Sequence, residues 1–294
     1  MDRESGELVS STKKIAVLTQ SKDDFESRYY FLALLAECWK EAGIEIVMLH
    51  GTEHFVPADA LILHVDMTVI PETYLDFARR YPVVINGRVT DISKRKVSTH
   101  IVGPEDPHAG PVIVKTNLNA GGIPERLLER KRERYNPWRR LTGKILRKLP
   151  WALSGALHPY AYPIFPDSRS VPRLAWRNPR LVVEKFLPER EGEFYCVRHW
   201  LFFGNQEFNY RAFSPEPIVK AGNTVHREWG IPVPEDLRAL RTKLGFDYGK
   251  FDYVIVDGET LLFDANRTPT IIPNNPGKGK VLAEELADGL HAFL

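Results

Sequence analysis

The sequence predicts a two-lobed protein, with an N-terminal, mostly parallel α/β lobe followed by an α+β region built on antiparallel sheets. Three observations lead to this fold class. Short apolar runs alternate with helical periodicity over residues 14–90. From residue 194 onward, strands fall into neighbouring pairs joined by short turns. The last of these pairs carries charge where a buried hairpin should be apolar.

In the first lobe, Lys14–Thr19 (KIAVLT) is a short apolar run, as expected of a strand buried on both faces. Residues 25–42 place Phe31, Leu34, Leu35, Cys38 and Trp39 at helical spacing, and Gly43 is a natural stop. Strands are expected at 44–49, 60–64 and 82–86, with a helix at 72–80 opened by Pro71. The order β-α-β-β-α-β fits a small, mostly parallel sheet covered by helices. Further on, 111–115 (PVIVK) is a strand running into a loop at 116–122, and 181–186 (LVVEKF) is the next clear strand. Between them, 124–178 is irregular and rich in Arg, Trp and Pro. Residues 194–203 and 207–213 form an antiparallel pair turning at Gly204-Asn205, and 234–244 is a helix. Residues 251–256 and 260–265 form a hairpin around Asp257-Gly258, and a helix at 283–293 follows. Internal repeats are absent from the sequence.

A chain of 294 residues is long enough for two lobes, and its net charge of +2 creates no global field favouring nucleic acid or membrane. Cys38 and Cys196 both sit in apolar segments and read as buried free thiols. Residues 1–13 are polar, lack the apolar stretch of a signal peptide and read as a disordered start. No run approaches transmembrane length, so a cytoplasmic protein is expected. The histidines at 50, 54 and 64 lie at strand ends without metal-ligand spacing, which favours a structural role.

The stretch 244–269 (LGFDYGKFDYVIVDGETLLFDANRTP) is the most informative. Its two strands carry Lys250, Asp252, Asp264 and Asn266, and buried charge is costly unless it is paired or holds an ion. Oxygen ligands of this type suit a hard cation such as Mg²⁺ or Mn²⁺. Side chains alternate faces along a strand, so Asp264 shares a face with Asn266, and Lys250 with Asp252. The two pairs meet on one face only if the connection contains an odd residue. The expectation is therefore a three-residue loop or a bulge, with Gly258 left-handed. An ordinary exposed hairpin with a polar wet face is the alternative.

This hairpin resembles the metal-binding end of the ATP-grasp ligases, the superfamily of D-alanine–D-alanine ligases and glutathione synthetases. The family pattern is a basic residue, one residue, Asp, about a dozen residues, then Glu-x-Asn followed by Pro. Here it is met by Lys250, Asp252, Asp264-x-Asn266 and Pro269. Asp264 stands where Glu is usual, and its shorter side chain favours one metal over two. Two upstream segments match in the same order. The strand ending in Lys115 and the loop 116–122 resemble the lysine strand and glycine-rich phosphate loop, with Asn119, Gly121 and Gly122 closing over phosphates. Glu184, Lys185, Phe186 and Leu187 resemble the strand that holds adenine, with Glu193 on the ribose. Lys94 is the candidate for a further phosphate lysine, with Arg95 and Lys96 as rivals, although only about twenty residues separate it from Lys115. Arg211 falls where the family often places another phosphate-contacting base, a surface strand residue being the alternative.

What the resemblance implies is an ATP-grasp domain over 91–294, with ATP and Mg²⁺ (or Mn²⁺) as cofactors. The implied activity converts a carboxylate to an acyl phosphate for attack by an amine, giving ADP and phosphate. Lys250 and Arg211 would stabilise charge in the transfer. The carboxylate and amine are small molecules or peptides. Two other functions stay open, a nucleotide-binding regulator that has lost ligation and a metal-dependent nucleotide-sugar transferase. Residues 125–149 hold ten Arg or Lys and three Glu, and Trp138, Leu141, Ile145 and Leu149 recur at helical spacing. This basic insertion reads as a covering helix, as a dock for an acidic acceptor, or as a contact for nucleic acid or a membrane surface, the last being least favoured. Residues 274–280 (NNPGKGK) read either as a contact for an anionic substrate or as a linker.

Overall fold

The computed structural model describes residues 12–125, 149–158, 161–270 and 276–294. The first lobe contains β1 (Lys14–Thr19), α1 (Phe31–Glu41), β2 (Glu45–His50), β3 (Ala60–Leu63), α2 (Glu72–Ala78) and β4 (Val84–Ile85). Its four strands are all parallel, in the order β2-β1-β3-β4. The central strands β1 and β3 are covered on both faces, which is why they read as apolar runs without alternation. The expected helix over 25–42 is shorter than its pattern. Phe25–Ser27 form a separate 3₁₀ turn, Tyr29 takes a left-handed φ of 52°, and α1 begins at Phe31. Tertiary contacts cause this break. The Tyr30 hydroxyl donates to the carboxylates of Asp23 and Asp66, and Tyr30 bridges to Thr270 across the lobe boundary.

Next come α3 (Lys94–Val97), β5 (Val112–Thr116), α4 (Trp151–Ser154), β6 (Ile164–Phe165), α5 (Arg173–Arg177) and β7 (Leu181–Lys185). The strands form a small antiparallel sheet, β6-β5-β7, whose core includes Val112, Val114, Leu157, Val171, Leu181 and Val183. The basic helix expected after Pro137 lies outside the described residues.

The largest sheet follows, from β8 (Glu189–Glu191), β9 (Phe194–Phe203), β10 (Gln206–Ser214), β11 (His226–Trp229), β12 (Tyr248–Val256) and β13 (Glu259–Asn266). Its order is β11-β10-β9-β12-β13, with β8 paired to β9. Helix α6 (Glu235–Leu244) covers one face, where Trp200, Phe202, Phe251, Tyr253 and Leu237 form a core. On the other face, Leu201, Phe203 and Tyr248 join the first-lobe core with α1 and the helix α7 (Pro276–Ala287). The two lobes therefore share a core. The Trp39 indole seals it by donating to the Ala287 carbonyl at 2.9 Å.

The β12–β13 hairpin resolves the parity question. Asp257 and Gly258, at φ 52° and 82°, make a tight two-residue turn of the primed kind. Farther along the ladder the register steps from Tyr253↔Leu262 to Asp252↔Asp264, leaving Phe263 as a bulge. The odd residue thus sits inside the ladder, and Asp252 faces Asp264 as a direct cross-strand partner, as Lys250 does Asn266.

Two buried polar groups join the lobes. Asn86, in a left-handed conformation at the end of β4, accepts from the N–H groups of Asp247 and Tyr248 and donates to the Tyr248 carbonyl. Arg267, fully buried, donates to the backbone carbonyls of Val89, Met67 and Thr68. Burial lowers its pKa to about 10. Replacing it by a similar-sized apolar side chain orphans several carbonyls at once. Arg267→Met is expected to destabilise the protein by at least about 3 kcal/mol in urea denaturation. A loss below about 1 kcal/mol would show that these bonds do not hold the joint.

Candidate active site

The charged residues of the hairpin meet those of the small sheet in one cleft. On the hairpin, Lys250 Nζ lies 3.0 Å from Asp252 Oδ1. His199, the cross-strand partner of Asp252 on β9, places Nδ1 2.7 Å from the same oxygen. Asp264 Oδ1 accepts from Lys94 Nζ at 2.9 Å. Lys94 opens the single-turn helix α3, and its side chain is 4 % exposed. The rivals turn elsewhere, since Arg95 donates to the Leu181 carbonyl and both Arg95 and Lys96 are exposed. Asn266 Oδ1 accepts from the Thr268 N–H at 2.9 Å. The Thr268 hydroxyl also lies 3.3 Å from this oxygen.

These pairs set the protonation states. Burial works to raise the Asp252 carboxyl, but Lys250 and His199 beside it hold it far below the usual range. Burial opposes the Lys250 ammonium, yet Asp252 raises it above its ordinary value, with smaller help from Tyr210 and Asp264. Lys94 is likewise raised against burial, mainly by Asp264. For His199, burial dominates and lowers its pKa in spite of Asp252.

The opposite wall comes from β5 and β7. Lys115 Nζ lies 2.6 Å from Glu184 Oε2, and the same oxygen is 3.5 Å from His100 Nε2. Glu184 is fully buried, and its Oε1 has no hydrogen-bond partner among the described residues. The bulged Phe263 presents its ring 4.6 Å from Lys115 Nζ, linking the small sheet to the hairpin. In the loop after β5, Gly121 and Gly122 take left-handed φ values of 65° and 72°. The Asn119 N–H donates to Thr68 Oγ1 of the first lobe at 2.9 Å.

Other expected residues are placed differently. The N–H groups of Lys185 and Phe186 are used by the sheet, donating to the carbonyls of His100 and Pro111. Leu187 follows, half-buried. Glu193 is exposed in the turn between β8 and β9. Arg211 is the cross-strand partner of Arg198, one residue out of step with Tyr210 and His199, so it projects from the face away from Asp252. There Glu228, Glu191 and Glu189 surround it. The structure does not bring Arg211 to the cleft, because its strand parity is wrong for it.

Four further groups belong to the cleft and escaped sequence reading: Lys220, His199, His100 and Tyr162. Lys220 sits in the loop between β10 and β11, where no periodicity marks it. Burial lowers its pKa, opposed by its neighbours Asp264 and Asp252, and its Nζ stands 5.8 Å from the Tyr162 ring. Of the four cleft lysines it alone has no carboxylate within 4.0 Å among the described residues. The one available signal for His199 was its place at mid-strand among apolar residues.

This donor set fits a nucleotide with a divalent cation. Two facing carboxylates and an amide oxygen suit a hard metal, and four ammonium groups suit phosphates. The unpartnered Glu184 Oε1 is an acceptor for a ligand N–H.

No protein-family model and no curated protein matches the sequence. Solved structures match the fold. One is a RiPP-associated ATP-grasp ligase of Chryseobacterium gregarium, in complex with ADP and a leader and core peptide, with a TM-score of 0.53 at 10% identity, covering 94% of this chain and 96% of that one. Another is the ATP-grasp ligase PsnB complexed with a minimal precursor, with a TM-score of 0.52 at 13% identity, covering 94% and 97% of the two chains. The chain has the ATP-grasp fold. No described helix is long and apolar enough to cross a membrane.

The Lys115–Glu184 pair makes stability pH-dependent. Burial would raise the Glu184 carboxyl, but Lys115 and His100 bring it to about 2 from an ordinary 4.5. A carboxyl depressed on folding stabilises the fold above its unfolded pKa, here 4.5, and that contribution fades as pH falls toward 2. Lys115→Met strands the buried carboxylate and is expected to cost about 3–5 kcal/mol at pH 7. The loss should shrink at pH 4, where protonation removes the stranded charge, and Glu184→Gln in the same chain should recover most of it. Equal destabilisation at both pH values in urea titrations would contradict the pairing.

Proposed function

We propose that this protein is an ATP-dependent ligase that activates a carboxylate for attack by an amine. The observation that carries the reading is the Asp252–Asp264 pair, flanked by Lys94 and Lys250 and faced by Lys115, in a cleft between two sheets. ATP supplies the phosphoryl group that turns the carboxylate into an acyl phosphate, from which the amine displaces phosphate. Asp252, Asp264 and Asn266 would hold Mg²⁺ or Mn²⁺, which would supply positive charge to the phosphates. Lys94, Lys115, Lys220 and Lys250 offset the phosphate charge, so that two anionic reactants can approach. Glu184, Lys185, Phe186 and Leu187 line the adenine side, and the Asn119–Gly122 turn covers the phosphates. Charge balance supports this assignment, because Lys94 and Lys250, now paired with Asp264 and Asp252, would be available to phosphates if those carboxylates held a metal. The carboxylate and amine are small molecules or peptides.

The test is ADP release across a panel of amino acids, dipeptides and polyamines. Asp264→Asn keeps the shape and a hydrogen bond to Lys94 but removes the charge, and Lys250→Met removes a cation of similar length. Each is expected to lower turnover at least about 100-fold with an unchanged circular dichroism spectrum. Near-full turnover in either variant would refute the assignment.

A further inference from the structure

The strand register extends the site beyond the cleft. Asp264, Asp252, His199, Tyr210 and Trp229 are successive cross-strand partners on β13, β12, β9, β10 and β11. They form one row on one face of the sheet, running from the paired carboxylates to its edge. The row is aromatic for most of its length. Ring centroids are 4.8 Å apart for His199 and Tyr210, and 4.9 Å for Tyr210 and Trp229. Phe208 packs beside them, 5.9 Å from Trp229. Core packing accounts for Phe208 but not for Trp229, which stays 44% exposed at the edge.

Charge and distance define an occupant. Lys220, without a carboxylate partner among the described residues, stands in the cleft near Asp252 and Asp264. Lys278 of α7 places Nζ 4.8 Å from the Trp229 ring at the outer end. An anionic chain with a flat apolar group complements the Lys220 cation at one end and the half-exposed Trp229 ring at the other. Strands are about 4.8 Å apart, so Tyr210 and Trp229 stand about 10 Å and 14 Å from Asp252. An extended peptide covers about 3.3–3.6 Å per residue, so this reach corresponds to about three or four residues. A single amino acid is too short to touch both ends.

We propose that the Tyr210–Trp229 row is a substrate subsite, which seats an aromatic side chain of a peptide about three residues from the carboxylate to be activated. The proposal rests on the ligase reading above, and it adds the class of substrate.

Calorimetric titration of the full chain, with saturating ADP and Mg²⁺, tests it with Trp-Gly-Gly-Asp and Ala-Gly-Gly-Asp as probes. The tryptophan peptide is expected to bind about 10-fold more tightly, a difference of about 1.4 kcal/mol. Trp229→Ala should abolish the preference, and Trp229→Phe should retain most of it. Equal affinity of the two peptides for the wild-type chain, or a preference that survives Trp229→Ala, would overturn the proposal. ADP binding is titrated first in the same samples. Its absence from the wild-type chain would sink the ligase reading itself, whereas ADP binding without an aromatic preference sinks only the subsite.

Discussion

Four lysines and three carboxylates are brought together between two sheets, and none of the carboxylates is left without a cation. Lys94 answers Asp264, Lys250 answers Asp252, and Lys115 answers Glu184. Removing either member of such a pair strands a charge in a poorly solvated place, which costs several kcal/mol. The pairing therefore constrains more than the side chains. It requires α3 to lie against β13, β5 to run beside β7, and β12 to face β13 in one register. The Phe263 bulge satisfies the last requirement. Without it, a two-residue turn would send Asp264 to the other face of the sheet, into the aromatic core under α6.

The same bulge joins the walls of the cleft. Phe263 is turned toward Lys115, so one irregular residue both aligns the carboxylates and touches the opposite sheet. The first lobe is fastened to this arrangement by polar groups with fully specified partners. Asn86 reads the backbone at 247–248, and Arg267 binds carbonyls from the two segments 67–68 and 89. Arg267 follows Asn266 directly, so the joint between the lobes and the proposed metal ligand are set by adjacent side chains. Thr268 continues the link through Asp66, which also holds Tyr30 and Arg28.

In the proposed reaction, Lys94 and Lys250 already balance the carboxylates that a metal would balance, and phosphates would then balance the lysines. The ionic partners change while the charge balance is kept, which limits the reorganisation needed when the substrates enter. Lys220 differs from the other three, because nothing among the described residues compensates it at close range, and burial depresses its pKa. Such a cation is suited to an incoming anion. The aromatic row that leads away from Asp252 then gives that anion a direction along the sheet.

Much of this was legible in the amino-acid sequence because it depends on local pattern. The first-lobe strands were visible as apolar runs, and the hairpins as paired strands around Gly204-Asn205 and Asp257-Gly258. For Asp252 and Asp264 to share a face, strand parity required an irregularity between them. Its location was not legible, since a bulge and a longer loop satisfy parity equally. Lys94 could not be separated from Arg95 and Lys96 until the packing of α3 buried one and exposed the others. Arg211 shows the converse. Its order in the chain matched, but its face is decided by pairing with β9, and that pairing turns it away from the cleft. Lys220, His100 and His199 reach the site from separate strands and loops, so no window of sequence contains their relation. The sequence by itself determined which residues carry charge into buried strands. Only the tertiary structure decided which charges meet, because cross-strand register and the packing of one sheet on another are long-range contacts that no local periodicity encodes.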